Sequence, residues 1–133
     1  LEACSLLLVR TGWDVHWGSD RYLDHPFLTE GAATWLAERG LHLGLDTLNP
    51  DPTPTENASA DEPQDFPGDR ALFERDRLLV ENARGLEAVA DRESFELCAF
   101  PLALGAIDAS PVRAVATRTG PVIPSSEAGQ SSE

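Results

Sequence analysis

A strand, a helix and a second strand are predicted in succession over residues 5–46, and this order constrains the fold most. Residues 5–11 are a continuous apolar run rich in Leu and Val, as in a buried strand. Thr29 is a favourable N-cap for a helix that ends at Gly40, and residues 41–46 read as a short strand. Because strands joined through a helix usually pack side by side in one direction, the pattern predicts a parallel crossover.

The remaining sequence adds elements of both kinds. Residues 49–67 contain five prolines and predict an irregular connection. A second helix is predicted over residues 69–75, followed by a strand at 78–80, an apolar stretch at 95–104 and a last strand at 112–117. Residues 118–133 have the composition of a disordered tail. We therefore expect an α/β protein with a mixed sheet and flanking helices, in one domain over residues 1–117.

The charge of the chain excludes some classes of partner. Its net charge is -13, with 23 acidic residues against ten arginines and no lysine. Such a surface repels nucleic acid and anionic membranes, and no segment approaches the roughly 20 apolar residues of a membrane span. The N-terminal residues lack the charged, apolar and small-residue succession of a signal peptide, so none is expected. The composition predicts a protein of a halophilic cytoplasm.

Cysteines and histidines are predicted to be structural. Cys4 and Cys98 lack the spacing of a redox or zinc motif and are expected to be buried free thiols. His16 and His25 form neither an i, i+4 pair nor an HxH cluster, which favours hydrogen bonding within their loop over metal ligation. Asp46, at the end of the second strand, is expected to orient the loop that follows it.

Two carboxylates are the candidate metal ligands. Glu81 follows an aliphatic strand, at the end where open α/β sheets place their ligands. The alternative is an exposed Glu81 that caps a turn. Asp69 begins the preceding helix, where the helix dipole stabilises a carboxylate whatever its function. Together they offer hard oxygen ligands to a divalent metal, but two carboxylates are an incomplete zinc or manganese site.

Residues 10–29, called here the aromatic loop, are the candidate substrate site. The loop contains four aromatic side chains that could line a pocket for a planar substrate: Trp13, Trp17, Tyr22 and Phe27. The alternative is a small core that pins the loop, and the two roles are compatible.

Five ordered motifs carry a family resemblance over residues 6–117. They read RTGW with a following HWG, DHPFLT, GLDTLNPD, LLVEN, and FPLAL with SPVRAVA. This order resembles the cyclase family of metal-dependent hydrolases, which includes bacterial kynurenine formamidase and isatin hydrolase, and in particular its haloarchaeal members. The resemblance implies a swivelling β/β/α fold, a homo-oligomer, a bound zinc or manganese ion, and hydrolysis of an amide or cyclic amide by a metal-activated water.

The resemblance also implies roles for single residues. Glu81 occupies the position of a family metal ligand, and Asp69 stands where the family has a histidine. Aspartate shifts the metal preference toward harder ions. The family's main ligand motif, His-x-Gly-Thr-His-x-Asp, is absent from this sequence. We therefore expect the catalytic residues upstream, the chain to be incomplete at its N-terminus, and weak metal binding by the chain alone.

These patterns support three functions. The first is a metal-dependent hydrolase of the arylformamidase type, truncated relative to the family, that acts on a small-molecule substrate. The second is a non-catalytic remnant or a binding or scaffold module that lacks the N-terminal metal ligands. The third is an unrelated acidic α/β interaction domain.

Overall fold

The computed structural model describes residues 5–54, 65–92 and 94–117, which form two compact units. One unit extends to Ala90 and the other begins at Asp91. Cys4, residues 55–64 of the irregular connection and the predicted tail at 118–133 lie outside the described residues. The single domain over residues 1–117 stays a prediction.

The first unit is a parallel α/β layer. Its elements are β1 (Leu6–Val9), α1 (Glu30–Glu38), β2 (His42–Leu45), α2 (Pro67–Phe73) and β3 (Leu79–Val80). The strands lie in the order β1-β2-β3, and both pairs are parallel, so the predicted crossover is confirmed. β1 was expected to be buried but is only half-buried, since it lies at an edge of this small sheet.

Helix α1 begins and ends where the sequence predicts. The Thr29 hydroxyl accepts a hydrogen bond from the backbone N–H of Ala32 at 3.2 Å. Past its end, Gly40 has a left-handed backbone with φ 74°. The helix packs on the sheet through an aliphatic core that also includes a side chain of α2, and this core consists of Leu36, Ala37, Leu41, Leu43, Leu45 and Leu72. Burial of these side chains holds the helices on one face of the strands.

Helix α2 begins at Pro67, two residues before the predicted start. The cause is Asp51, whose carboxylate accepts hydrogen bonds from the backbone N–H groups of Gly68 at 2.7 Å and Asp69 at 2.9 Å. A Cβ atom at position 68 would lie 2.9 Å from Asp51 Oδ1. A side chain at position 68 would therefore displace the Asp51 carboxylate from the start of α2.

The second unit is an antiparallel hairpin of β4 (Glu96–Pro101) and β5 (Val112–Thr117). The parallel and antiparallel pairs of the described residues thus lie in separate sheets, whereas a mixed sheet was expected. Cys98 is a free thiol, as predicted, but it is half-buried, because within the described residues its strand pairs with β5 alone. In the described ranges, no helix is long and apolar enough to cross a membrane.

Candidate functional site

Three chain segments that carry candidate residues leave the parallel sheet at the same edge. The aromatic loop follows β1, Asp46 follows β2, and Glu81 follows β3. Because parallel strands place their carboxyl ends together, these segments are brought close in the fold. We call this region the carboxyl edge.

Asp46 holds the start of the aromatic loop. It is 1% exposed, and its carboxylate accepts hydrogen bonds from the backbone N–H groups of Thr11 at 2.9 Å and Gly12 at 2.7 Å. The hydroxyl of Thr11 donates a further bond at 2.7 Å. The sequence suggested that Asp46 orients the loop after β2. Its side chain instead anchors the loop after β1, so its role is mainly structural.

Three of the four aromatic residues, Trp13, Trp17 and Tyr22, are joined by contacts within the loop. The Trp13 indole N–H donates to the carbonyl oxygen of Tyr22 at 3.2 Å, and the rings of Trp17 and Tyr22 meet edge to face at 5.2 Å. Tyr22 is only 5% exposed. These are the contacts of the small core that the sequence left open as an alternative. The substrate-binding role of the aromatic residues stays a prediction.

Phe27 differs from the other three aromatic residues because it lines a cavity. It is exposed, and the cavity of about 90 Å³ lies between the ends of β1 and β2. Its walls are mostly aliphatic and include Val9, Leu28, Leu45 and Pro50. The cavity is thus suited to an apolar group.

The two histidines of the loop have structural contacts. His25 is buried; its Nδ1–H donates to the carbonyl oxygen of Pro26 at 2.9 Å, since a carbonyl oxygen only accepts, and its Nε2 forms a hydrogen bond with the hydroxyl of Thr53 at 2.8 Å. His16 packs edge-on against Trp13, with ring centroids 4.6 Å apart. The prediction that His25 is a hydrogen-bonding residue of the loop is confirmed.

The predicted ligands Glu81 and Asp69 share an acidic environment with Asp51. Burial, together with the negative charges of Asp69 and Asp51, raises the pKa of Glu81 to about 7, and burial has the largest effect. Burial also raises the pKa of Asp69 to about 6, with a smaller effect of Asp51. Glu81 as a whole residue is exposed, so solvent screens part of this repulsion. The negative charge of Asp51 therefore acts on both Asp69 and Glu81 at this end of β3 and α2.

These carboxyl groups fit part of a cation site. Oδ1 of Asp69 is buried and has no hydrogen-bond partner within the described chain. A divalent cation is a natural partner for such an oxygen, and carboxylates favour hard ions. Within residues 5–54, 65–92 and 94–117, however, no group of three or more His, Cys, Asp or Glu side chains is placed to hold a metal. The described residues thus supply at most two ligands.

Sequence reasoning missed two polar residues of this region. Asp51 starts α2 and lies beside the candidate ligands, and Asn82 follows Glu81 with a left-handed backbone. A local signal existed for both. Asp51 follows Asn and Pro, and Asn is among the residues that best tolerate a left-handed conformation.

Comparison with known families and structures gives matches of two kinds. Residues 1–52 match the Cyclase family model, described as "Putative cyclase". A solved structure called "The Structure Of Potential Metal-Dependent Hydrolase With Cyclase Activity" superposes with a TM-score of 0.55 at 21% identity, covering 89% of this chain and 65% of that one. The second match shows a shared fold.

Sequence relatives of the chain include kynurenine formamidases. The chain is 40% identical to that of Bordetella petrii over 87 residues, which are 65% of this chain and 37% of the relative. It is 36% identical to that of Bacillus anthracis over 117 residues, which are 86% of this chain and 50% of the relative. The chain is thus similar in sequence to kynurenine formamidases, and it spans half or less of the length of these two relatives.

Proposed function

We propose that this chain is part of a metal-dependent hydrolase that cleaves an amide or cyclic amide bond in a small molecule, of the arylformamidase type. The observation that carries the proposal is the acidic group of Glu81 and Asp69 at the carboxyl edge, with its unpartnered oxygen. Similarity to kynurenine formamidases supports the reaction class.

In this proposal, Glu81 and Asp69 hold the ion, which is zinc or manganese. When bound, such an ion lowers the pKa of a water molecule and polarises the substrate carbonyl. Two carboxylates favour manganese, because hard oxygen ligands suit that ion. Asp51 stays on the N–H groups of α2 and keeps Asp69 in place. The other ligands and the catalytic groups come from polypeptide outside the described residues.

The substrate contacts come from the aromatic loop. Phe27 and the cavity beside it take the apolar part of the substrate, and the exposed ring of Trp17 adds an aromatic surface. Trp13 and Tyr22 keep the loop in shape through their bond to each other. This cavity favours an uncharged aryl or alkyl group in that part of the substrate, since burying an unpaired charge is costly.

A second candidate is a binding or scaffold module without catalysis. The absence of a three-ligand group among the described residues favours it. The two candidates differ in what a longer natural polypeptide containing this sequence does. If the polypeptide is a hydrolase, it should bind the metal tightly and turn over an amide substrate. If it is a binding or scaffold module, it should do neither.

Metal titration calorimetry tests the proposal. The 133-residue chain is titrated with MnCl2 and ZnCl2 beside Asp69→Asn and Glu81→Gln, and each substitution is expected to weaken manganese binding about tenfold. Glu87→Gln is the matched control, because Glu87 is an exposed carboxylate in a neighbouring short 3-10 helix. The longer polypeptide is then assayed with manganese on arylformamides and cyclic imides. Absence of both metal binding and hydrolysis in that polypeptide contradicts the proposal.

A further inference from the structure

Asn82 forms a sharp turn directly after Glu81. Its backbone φ is 53°, a left-handed value that side chains other than Asn, Asp and Gly seldom adopt. The turn sends the N–H of Asn82 to the carbonyl oxygen of Thr47 at 3.0 Å, and that of Ala83 to Leu45 at 2.9 Å. Since β3 has only two residues, these bonds continue its attachment to β2 past Glu81.

The side chain of Asn82 is also held from two sides. Its Nδ2 donates to the carbonyl oxygen of Leu48 at 3.4 Å, and its Oδ1 accepts from the Tyr22 hydroxyl at 2.9 Å. A carbonyl oxygen only accepts, so the amide must turn its NH2 group to Leu48 and its oxygen to Tyr22. The Tyr22 hydroxyl also lies 3.3 Å from the carbonyl oxygen of Asp46. Because the hydroxyl has one proton, it donates to Asn82 Oδ1, which is the closer acceptor.

Tyr22 belongs to the aromatic loop, whose start is held by Asp46. Tyr22 is buried, and its carbonyl oxygen accepts from the Trp13 indole N–H. The bond between Tyr22 and Asn82 therefore joins the predicted substrate loop to the residue next to the predicted metal ligand.

We propose that Asn82 is a positioning residue for Glu81, and that the hydrogen bond between Tyr22 and Asn82 couples the aromatic loop to the orientation of the Glu81 carboxylate. The positioning of a ligand rests on the proposed function; the coupling of loop and turn does not. The turn after β3 fixes the backbone conformation of Glu81. A shift of the aromatic loop on substrate binding would move this turn through the hydrogen bond between Tyr22 and Asn82.

The first test is amide hydrogen exchange on the metal-free chain. Tyr22→Phe keeps the packing and removes the hydroxyl, so the Asn82 and Ala83 amides are expected to exchange about tenfold faster. The amide of Leu43, which bonds to Leu78 within the same sheet, should not change. Thr53→Val removes the hydroxyl that is hydrogen-bonded to His25 and is the matched control. It should leave the exchange rates of both turn amides unchanged. Equal protection of these amides in Tyr22→Phe and the wild type overturns the coupling.

The second test is manganese affinity at a temperature where each variant is folded by circular dichroism. Asn82→Gly keeps the left-handed turn and loses the side-chain bonds, whereas Asn82→Ala loses the bonds and strains the turn. We expect the dissociation constant to rise about threefold in Tyr22→Phe and Asn82→Gly, and about tenfold in Asn82→Ala.

The outcomes separate this inference from the proposed function. Variants with lower melting temperatures but unchanged manganese affinity show a purely structural turn and overturn the positioning role. If Asn82→Ala does not fold, Asn82→Gly and Tyr22→Phe decide the result. If the wild-type chain and the longer polypeptide both fail to bind manganese, the proposed function fails, and the exchange rates still decide the coupling.

Discussion

Asp46 and Glu81 follow neighbouring strands at the same edge of the sheet, but their surroundings are opposite. The Asp46 carboxylate is buried among donors, namely the N–H groups of Thr11 and Gly12. Partial burial and the negative charges of Asp69 and Asp51 together raise the pKa of Glu81 to about 7. A carboxylate among donors is satisfied within the protein, whereas a carboxylate among other carboxylates requires a proton or a cation. The surroundings of Asp46 therefore stabilise the fold, whereas those of Glu81 suit a cation-binding site.

The largest expected effect is that of Asp46→Asn. An amide offers one acceptor oxygen in place of two and turns an NH2 group toward the donors of the loop, so we expect the free energy of unfolding to fall by about 3 kcal/mol. Urea unfolding followed by circular dichroism measures the change. Asp24→Asn, an exposed carboxylate of the aromatic loop, is the control. Equal stabilities of the two variants would break the contrast between Asp46 and Glu81.

Asp51 combines both surroundings, because it accepts two backbone bonds and also repels Asp69. Asp51→Asn should lower the free energy of unfolding by about 1.5 kcal/mol, as loss of a helix cap does. In the same variant, the pKa of Asp69 should fall toward its usual value. Urea unfolding and a carboxyl NMR titration measure the two effects. An unchanged pKa of Asp69 would contradict the electrostatic part.

The metal-free chain should become more stable as the pH falls from 8 to 5. Glu81 and Asp69 have raised pKa values of about 7 and 6 in the folded state, so between these values and their ordinary ones the folded chain binds more protons than the unfolded chain. Their ionisation as the pH rises therefore destabilises the fold. Because both groups are partly exposed, we expect only about 1 kcal/mol.

Urea unfolding across this pH range, at constant ionic strength, compares the wild type with the Asp69→Asn, Glu81→Gln double variant. The double variant should show a flatter curve. The same slope in both proteins would place the pH dependence elsewhere in the chain.

The smallest expected change in the free energy of unfolding is that of Glu81→Gln, and its sign is opposite to that of Asp46→Asn. At pH 8 without metal, Glu81→Gln removes a repelled charge and should raise the free energy of unfolding by a few tenths of a kcal/mol. At pH 5 the gain should vanish, because Glu81 of the wild type is then largely protonated. Thermal unfolding at both pH values measures it. A loss of stability at pH 8 would place Glu81 with Asp46 among the structural carboxylates.

The sequence predicts the features of the fold that depend on neighbouring residues. Thr29 and Gly40 mark the ends of α1, and the strand and helix order predicts the parallel sheet. The exact start of α2 depends on Asp51, whose partner Gly68 is 17 residues away, and local patterns do not report such a bond.

In the candidate site, too, the features set by neighbouring residues could be predicted, and the contacts between distant residues could not. Glu81 and Asp69 could be chosen from their places at a strand end and a helix start, and the structure gives them a common acidic environment. Asp46 and Thr11 are 35 residues apart, and Tyr22 and Asn82 are 60 apart. Only the folded chain shows that these pairs meet. A tyrosine predicted as a pocket wall thus proves to be largely enclosed.

The two units also differ in how quickly they can form. Each parallel strand pair joins distant parts of the sequence, as in Leu6 with His42 and Leu43 with Leu79, so a helix and a long connection must be arranged before pairing. The β4–β5 hairpin pairs Pro101 with Val112 across a short loop and can close within microseconds. During synthesis, however, the hairpin leaves the ribosome after the parallel strands. The parallel sheet can therefore begin to pair before the faster-forming hairpin has been synthesised.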